Sequence, residues 1–289
     1  MGLLFDIEKL RCSYDKPYVE GVSHVVLDIR SLKLERGQRI FIVGESGIGK
    51  STILETLGMM NNTIVADSSN QFLFYETDGR VTDLCQLWYK GDNALSNFRL
   101  KNYSFIFQST NLMRNFTAYE NVAYTRMLQG YSREECFEKT KQVLSELGMD
   151  HVDSTRMTQE LSGGQQQRLA FARAVLPDYT VLFGDEPTGN LDPENAMRLM
   201  KILEKRSEDG LDTTAIIVSH DMHLATTFAN VIVKIKKATK RRSLSNSEET
   251  IYGVIDESCI FYPNFERKIW QGGGISMETL EFEDYLRKK

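Results

Sequence analysis

The sequence predicts an α/β protein with a mainly parallel core sheet flanked by helices. Three apolar runs, RIFIVG at 39–44, TVLFG at 180–184 and TTAIIV at 213–218, have the length and composition of buried strands. Amphipathic helical patterns alternate with such runs, for example PENAMRLMKILEKRS at 193–207. Parallel strands need crossover connections of this kind, so the alternation favours a parallel sheet.

The elements before residue 109 can be assigned in order. VVLDIRSLKLERGQRIFIVGES at 25–46 predicts alternating strands closed by a buried one, and STILETLGMM at 51–60 predicts a helix. FLFYETDGRVTDLCQLWY at 72–89 predicts a hairpin around its DG turn. ALSNFRLKNYSFIFQ at 94–108 predicts a short helix and then a strand that ends near Gln108.

The remaining chain predicts further helices and a distinct tail. Helical patterns cover 117–147 and 161–176, the second stopped by Pro177, and MHLATTFAN at 222–230 predicts a short helix. After residue 230, VIVKIKK and TIYGVIDESCIFYP predict paired strands, separated by the polar segment ATKRRSLSNSEE, which we expect to be mobile. The acidic pattern SMETLEFEDYLRKK predicts a terminal helix.

Composition excludes several classes of protein. The formal charge of −5 argues against a nucleic-acid partner, which would usually meet a basic face. No window approaches about 18 uninterrupted apolar residues, so work at a membrane would require another chain to span it. The N-terminus lacks the charge order of a signal peptide. The cysteines form no CxxC pair, which fits reduced thiols in the cytosol: Cys12, Cys85, Cys136, Cys259.

A phosphate-binding loop is predicted at 44–51, where GESGIGKS matches GxxxxGK[ST]. The glycines let backbone N–H groups converge on phosphate oxygens, and the following helix adds its positive N-terminal end. Lys50 would reach the β- and γ-phosphates, and the Ser51 hydroxyl would bind Mg²⁺. The alternative is a tight strand–helix turn with an incidental lysine, which the strand and helix flanks disfavour.

Polar residues follow three predicted strands. Asp185 and Glu186 end the apolar run TVLFG, where carboxylates would meet a metal ion and polarise water. His220 ends another buried run and could donate to a γ-phosphate, although a lone histidine at a strand end is more often structural. Gln108 could contact Mg²⁺ and water, or be an ordinary polar strand end. Ligands of open α/β sheets bind at this carboxyl edge.

A second glycine-rich stretch, LSGGQQQR at 161–168, precedes a helix. Ser162, Gly163 and Gly164 could form another anion seat at the helix N-terminus. Since the loop at 44–52 would already hold the phosphates of its own chain, we expect this seat to serve a second subunit, with two-fold pairing completing both sites. The alternative is an ordinary serine cap.

These motifs together resemble the ATP-binding subunit of ABC transporters. GESGIGKST, LSGGQQQRLAFARA, VLFGDEP, the turn TGNLD and IIVSHD occur in the order of that family over residues 5–235. The resemblance implies a P-loop ABC-type cassette with an antiparallel β subdomain and a helical signature subdomain. It assigns Gln108 to the Q-loop, Glu186 as general base, Asp192 to the D-loop and His220 as the switch histidine. Tyr14 resembles the aromatic that stacks on adenine, with Tyr18 as a nearby alternative.

By this resemblance the cofactors are ATP and Mg²⁺. The implied catalytic residues are Glu186, His220 and Gln108, and the implied metal ligands are Ser51, Gln108 and Asp185. The residues implied to bind nucleotide are Tyr14, Gly44, Glu45, Ser46, Gly47, Ile48, Gly49, Lys50, Ser51, Thr52, Leu161, Ser162, Gly163, Gly164, Gln165 and Asp192.

The resemblance also implies partners and a place in the cell. We expect a homodimer or paired ABC subunit, and a separate transmembrane permease that holds the chain at the cytoplasmic face of the membrane. NLMRNFTAYENV and GDEPTGNLD resemble the group that serves lipoprotein release, macrolide export and cell division. The alternative function is force transmission to a cell-division or envelope regulator. A form that uses nucleotide only as a dimer clamp is disfavoured, because no catalytic position is lost.

The predicted domains are a cassette at 1–235, with a helical subdomain at about 109–178, and a C-terminal extension at 236–289. The extension is expected to be partly mobile, with a strand hairpin and a terminal helix. Every motif precedes it, so we expect it to be dispensable for hydrolysis. Its basic segment KKATKRR could meet anionic lipid, but a charge run in a loop is more commonly just solvated.

Overall fold

Strands and helices alternate through the middle of the chain, and strands dominate at both ends. The computed structural model describes residues 2–15, 24–189, 191–208, 212–243 and 246–288. Tyr18, the alternative to Tyr14, lies outside these described residues.

The strands are β1 (Leu3–Cys12), β2 (Leu27–Glu35), β3 (Arg39–Val43), β4 (Gln71–Tyr75), β5 (Val81–Asp83), β6 (Tyr103–Ile106), β7 (Val181–Asp185), β8 (Thr214–Val218), β9 (Val231–Lys234), β10 (Lys236–Ser243), β11 (Asn246–Ile255), β12 (Ile260–Asn264), β13 (Ile269–Gly272) and β14 (Ile275–Glu278). The α-helices are α1 (Lys50–Leu57), α2 (Leu84–Leu87), α3 (Asp92–Asn102), α4 (Ala118–Leu128), α5 (Arg133–Glu146), α6 (Gly163–Val175), α7 (Pro193–Glu208), α8 (Met222–Phe228) and α9 (Thr279–Arg287). The predicted α/β class is confirmed.

Two compact units make up the chain. The first combines Met1–Leu95 with Val218–Lys289, and the second is Ser96–Ile217. The first unit contains the predicted phosphate loop and the C-terminal extension, and the second contains the segment LSGGQ. None of the helices in the described part of the chain is both long enough and apolar enough to cross a bilayer.

The first unit contains a six-stranded sheet in the order β10-β11-β2-β1-β4-β5. Strand β1 pairs antiparallel with β2 and β4, and Phe5 packs against Phe72 and Phe74 on one face. The predicted hairpin is present as β4 and β5, but its second strand ends at Asp83 rather than continuing to residue 89. Asp83 accepts a hydrogen bond from the Gln86 amide, which starts α2 in place of more strand.

A second layer of the first unit has its strands in the order β14-β13-β12-β9-β3. Strands β3 and β9 are parallel, whereas β12, β13 and β14 form antiparallel neighbours. All five residues of β3 are buried, as its apolar sequence predicts. The end of β3 leads directly to Gly44, so this layer carries the phosphate loop.

The C-terminal extension contributes strands to both layers of the first unit. Strand β11 pairs parallel with β2, and β12 pairs antiparallel with β9. The segment expected to be a mobile polar loop, 238–249, lies largely in the hairpin of β10 and β11; residues 244–245 lie outside the described residues. Backbone pairing accounts for the difference, because a polar strand can still satisfy its N–H and C=O groups in a ladder.

Helix α9 closes the extension against helix α8. The Glu283 carboxylate is 7% exposed and accepts a hydrogen bond of 2.7 Å from the Thr226 hydroxyl. Lys234 of β9 donates to the Tyr285 carbonyl at 2.6 Å, near the C-terminal end of α9, where a cation is favourable. Polar contacts on two sides therefore hold the terminal helix.

The second unit has strands in the order β8-β7-β6, with β6 and β7 parallel. The long helical pattern at 117–147 forms two helices, α4 and α5, separated at Gly130 with φ 99°. Thr117 and Ser132 cap these helices through their side-chain oxygens. Helix α6 packs against α4 and α5, and it carries the LSGGQ segment at its start.

Candidate nucleotide site

The phosphate loop joins β3 to α1 in the first unit. Gly47 and Gly49 have φ of 77° and 102°, in the left-handed region that side chains disfavour. A Cβ at Gly49 would also lie 3.4 Å from the Val26 carbonyl oxygen. The loop thus needs glycine at these two positions, and it ends where α1 presents its first free N–H groups.

Lys50 is the first residue of α1 and its side chain folds back onto the loop. Its ammonium donates to the carbonyl oxygens of Gly44 and Glu45 at 2.9 and 2.7 Å, and the residue is 7% exposed. Ser51 is exposed and Thr52 is buried. A cation held on the loop in this way can exchange carbonyl partners for phosphate oxygens, which form stronger charge-assisted bonds.

Tyr14 lies beside the start of α1. Its hydroxyl donates to the Glu55 carboxylate at 2.8 Å and contacts the Thr52 hydroxyl at 3.2 Å. Desolvation is the main cause that raises the pKa of Tyr14 to about 12, with Glu55 adding to it. The residue is 54% exposed although its hydroxyl is fixed, so the ring is accessible to a planar ligand.

His220 follows β8 and is exposed. The preceding Ser219 amide donates to the Ile42 carbonyl in β3 at 3.4 Å, one residue before the strand ends. Asp221 accepts from the Leu224 amide and starts α8. The first unit therefore groups Tyr14, the phosphate loop and His220 in one compact body.

In the second unit, β7 ends at Asp185 and Glu186 follows immediately. Glu186 has φ 47°, a left-handed conformation that is uncommon for a residue with a side chain. Its carbonyl accepts from the Gly189 amide at 3.1 Å, which closes a tight turn. Strain of this kind persists where the surroundings fix the backbone, and it commonly marks functional positions.

The signature segment, residues 161–165, starts helix α6. The Ser162 hydroxyl accepts from the Gln165 amide, and the Gln165 side chain accepts from the Ser162 amide, which forms a capping box. Leu161 is buried, whereas Ser162, Gly163 and Gly164 are exposed. Apart from its chain neighbours and the backbone of its own helix, a Cβ at either glycine would have no atom of the described residues within 4 Å.

The buried side of α6 connects the other motifs of the second unit. The Gln167 amide donates to the Pro187 carbonyl at 3.2 Å, next to Glu186. Arg173 donates to the Thr110 and Asn111 carbonyls at 2.7 and 2.8 Å, just after Gln108. Motif reasoning did not single out these two residues, because their partners are backbone carbonyls that no sequence pattern indicates.

Gln108 and Asp192 also belong to the second unit. Gln108 is exposed and lies two residues after the end of β6. Asp192 accepts from the side chain and the amide of Asn195 at 2.6 and 3.0 Å, and these bonds hold the pKa of its carboxyl below the usual value. Arg168 of α6 donates to the Asn195 side chain at 3.3 Å, so the signature helix also contacts the turn that holds Asp192.

A profile of the ABC transporter family matches residues 27–189, which is more than half of the chain. The chain belongs to the ABC transporter family. The predicted resemblance is therefore confirmed.

Three known proteins illustrate the relationship. The macrolide export ATP-binding/permease protein MacB of Aggregatibacter actinomycetemcomitans is 39% identical over 75% of this chain, which covers 31% of that protein. The lipoprotein-releasing system ATP-binding protein LolD of Idiomarina loihiensis is 38% identical over 75% of this chain and 90% of that protein. The dimeric post-hydrolysis structure of the ATP-binding cassette MJ0796, bound to ADP and Pi, has a TM-score of 0.65 at 26% identity, covering 81% and 94% of the two chains.

The chain thus spans about a third of the length of the macrolide-export relatives that it matches. These relatives agree with the predicted subgroup of ABC proteins, since their names concern macrolide export and lipoprotein release. The alternative function, force transmission to a cell-division or envelope regulator, is not favoured by them.

The residues of this ABC cassette fit a magnesium nucleotide. The phosphate loop has two left-handed glycines, a lysine held on its carbonyls and a helix N-terminus, which suits a polyphosphate. Ser51, Gln108 and Asp185, the predicted metal ligands, all offer oxygen atoms, and hard cations such as Mg²⁺ prefer oxygen.

Proposed function

We propose that this ABC cassette binds Mg·ATP, pairs head to tail with a second ABC subunit, hydrolyses ATP and drives a separate transmembrane permease. The observation that carries the proposal is the contrast between two glycine-rich segments. The phosphate loop has glycines at positive φ and in close packing, whereas a Cβ at Gly163 or Gly164 would meet open space among the residues that the structure describes.

Nucleotide binding is assigned to the first unit. Lys50 would leave the Gly44 and Glu45 carbonyls for the β- and γ-phosphate oxygens, while the loop amides hold the remaining oxygens. The Tyr14 ring would stack on adenine, with its hydroxyl anchored by Glu55. His220 would donate to the γ-phosphate.

Hydrolysis is assigned chiefly to Glu186, which would orient and deprotonate the attacking water. Its left-handed backbone sets the direction in which the side chain leaves the strand end, and positioning is a large part of catalysis in phosphoryl transfer. When bound, Mg²⁺ would supply charge neutralisation on the phosphate oxygens. Ser51, Gln108 and Asp185 are the residues proposed to hold it.

Pairing explains the exposed signature segment. Ser162 already accepts one intrahelical bond, and the open space over Gly163 and Gly164 allows a γ-phosphate to approach the helix N-terminus closely. We assign that phosphate to the nucleotide held by the opposite subunit. In a two-fold dimer each subunit would complete the site of the other, and Asp192 would lie at the same interface.

The names of the relatives support the proposal of a membrane partner. LolD is named as the ATP-binding protein of a lipoprotein-releasing system, whereas the name of MacB joins ATP-binding and permease. On the LolD pattern, we propose that the permease is a separate chain and that the cassette lies at the cytoplasmic face of the membrane through it.

The Glu186→Gln variant tests this function. The amide keeps the shape of the carboxylate but cannot act as a base, so turnover should fall by about a hundredfold to ten-thousandfold while ATP still binds. The variant should accumulate as a dimer with ATP, seen as a doubled mass in light scattering, and addition of EDTA should abolish wild-type turnover. Turnover by Glu186→Gln at the wild-type rate would refute the assigned role.

A further inference from the structure

The hairpin of β10 and β11, in the C-terminal extension, lies against the phosphate loop. Strand β11 joins β2 in parallel from Gly253, which pairs with Leu27. In the hairpin itself, Gly253 pairs with Lys237 of β10. The register therefore places Gly253 and Lys237 side by side at the end of the hairpin that is nearest to the loop.

Gly253 contacts the loop through its backbone. Its amide donates to the Val26 carbonyl at 2.9 Å, and a Cβ on it would overlap the carbonyl oxygen of Ile48, the residue before Gly49. Such a Cβ would also lie 2.8 Å from Cγ2 of Ile235. Gly253 is not among the residues with positive φ, so glycine is needed here for space rather than for backbone conformation.

Lys237 contacts the loop through its charge. Its ammonium lies 3.3 Å from the Glu45 carboxylate, and the two side chains are 45% and 27% exposed. An exposed pair of this kind contributes little to folding. Glu45, however, belongs to the loop whose carbonyls hold Lys50, so its charge would lie beside a bound polyphosphate.

We propose that Lys237 and Gly253 are positioning residues of the nucleotide site, by which the hairpin supports the phosphate loop and offsets the negative charge of Glu45. Without Lys237, an unpaired carboxylate would repel phosphate oxygens. Without the close fit at Gly253, the Ile48 carbonyl and the amides that follow it would move. The inference rests on the proposed binding of ATP, and it argues against the expectation that the extension is dispensable.

The charge contribution is tested with Lys237→Ala in the full chain, using a fluorescent ATP analogue in equilibrium titrations and ATP in steady-state assays. We expect Kd and KM to rise about threefold to tenfold, with kcat nearly unchanged, because the charge acts on binding. The increase should shrink at high salt, since this pair is partly exposed. The matched control is Lys240→Ala, another lysine of β10, which should bind like the wild type.

Two further variants isolate the Glu45 contact. Lys237→Arg should restore the affinity, because the cation is kept. In a Glu45→Gln background, Lys237→Ala should have little additional effect, since the carboxylate that it offsets is gone. A nearly unchanged melting temperature for Lys237→Ala would separate positioning from folding.

The steric contribution is tested with Gly253→Ala, which should also raise Kd, against Thr250→Ala in the same strand as the control. If Gly253→Ala fails to fold, the Lys237 series still decides the charge contribution. A wild-type chain that binds the analogue, together with a Lys237→Ala variant whose Kd equals that of Lys240→Ala, would overturn this inference alone. A wild-type chain that does not bind the analogue would refute the proposed function and this inference with it.

Discussion

The phosphate loop and the signature segment are both rich in glycine, and each precedes or starts a helix. Packing and backbone conformation within the chain explain the glycines of the loop but not those of the signature segment. A Cβ at Gly44 would lie 3.0 Å from Cγ2 of Ile48, and Gly49 has φ 102°. In the signature segment, neither Gly163 nor Gly164 has a positive φ, and a Cβ on either would have no described atom outside its own helix backbone within 4 Å. Packing and backbone conformation thus require glycine in the loop and not in the signature.

The difference indicates what each segment is for. Glycine costs about 1 kcal/mol relative to alanine inside a helix, so two successive glycines at the start of α6 are not explained by the stability of that helix. Because glycine has no side chain, Gly163 and Gly164 leave space in which a group from another molecule could approach the start of the helix closely. Under the proposed function, the loop holds the nucleotide with residues of its own chain, whereas the signature segment completes the site of a second subunit.

The largest expected effect is a loss of ATP affinity when the phosphate loop, but not the signature segment, is altered. Lys50→Ala removes the cation that the loop holds at 2.9 and 2.7 Å from its carbonyls. Affinity for a fluorescent ATP analogue should fall about a hundredfold, since charge-assisted bonds to phosphate are lost. Equilibrium titration measures this. An unchanged dissociation constant would show that the nucleotide binds elsewhere.

Ser162→Arg, in the signature segment, should lower turnover and leave ATP affinity nearly unchanged. The monomer should bind ATP almost as the wild type does, because the loop and Lys50 are unchanged. Turnover should fall about tenfold or more, because the bulky side chain blocks the seat for the phosphate of the opposite subunit. The matched control is Ser132→Arg. Ser132 caps α5 through the same kind of hydrogen bond, which its hydroxyl accepts from the Glu135 amide at 3.2 Å. Loss of this cap should leave turnover unchanged.

Mixing the two variants tests whether the signature acts in trans. In a heterodimer, the intact loop of Ser162→Arg faces the intact signature of Lys50→Ala, so one of the two sites is complete. We therefore expect the mixture to have more ATPase activity than either variant alone. If Ser162→Arg abolished ATP binding by the isolated monomer, the signature segment would act within its own chain. The proposal that it serves the opposite subunit would then be wrong.

The sequence predicted the parts of this site that are defined by local pattern. The loop at 44–51, the strand that ends at Asp185 and the helix after Ser162 are all found, because glycine spacing, apolar runs and caps are properties of neighbouring residues. Non-local contacts could not be predicted in this way. The bond from Gln167 to Pro187 and the fit of Gly253 against Ile48 join residues whose proximity depends on tertiary structure.

Two further elements differ from the sequence-based expectation, strand β1 and the end of β5. The sequence pattern assigns no element to the run LLFDIEKLRC at 3–12, yet this run forms the strand between β2 and β4 in its sheet. At LCQL, residues 84–87, strand-like composition was overridden by the cap at Asp83. Neighbouring strands decide the first case, whereas a local cap decides the second.

A fourth prediction concerns the buried face of α6, where this helix does contact its own chain. Gln167→Leu would leave the Pro187 carbonyl without its side-chain donor in a buried place, which should lower the free energy of unfolding by about 1–3 kcal/mol. The matched control is Gln142→Leu, an exposed glutamine on α5, which should change it by less than about 0.5 kcal/mol. Urea denaturation of both variants measures the difference, and equal midpoints would show that the bond contributes nothing.

The smallest expected effect comes from replacing one glycine by alanine in each region and comparing the free energies of unfolding. Gly49→Ala forces a side chain into the left-handed region and against the Val26 carbonyl, so unfolding of the nucleotide-free protein should require about 1–2 kcal/mol less. Gly163→Ala adds a methyl group to open space at the start of a helix, where alanine is the better residue, so stability should be unchanged or slightly higher. Yet Gly163→Ala should reduce turnover, because the methyl group would meet the phosphate of the opposite subunit. A stable Gly163→Ala protein with full ATPase activity would mean that nothing approaches this glycine closely, and that its exposure has no part in the reaction.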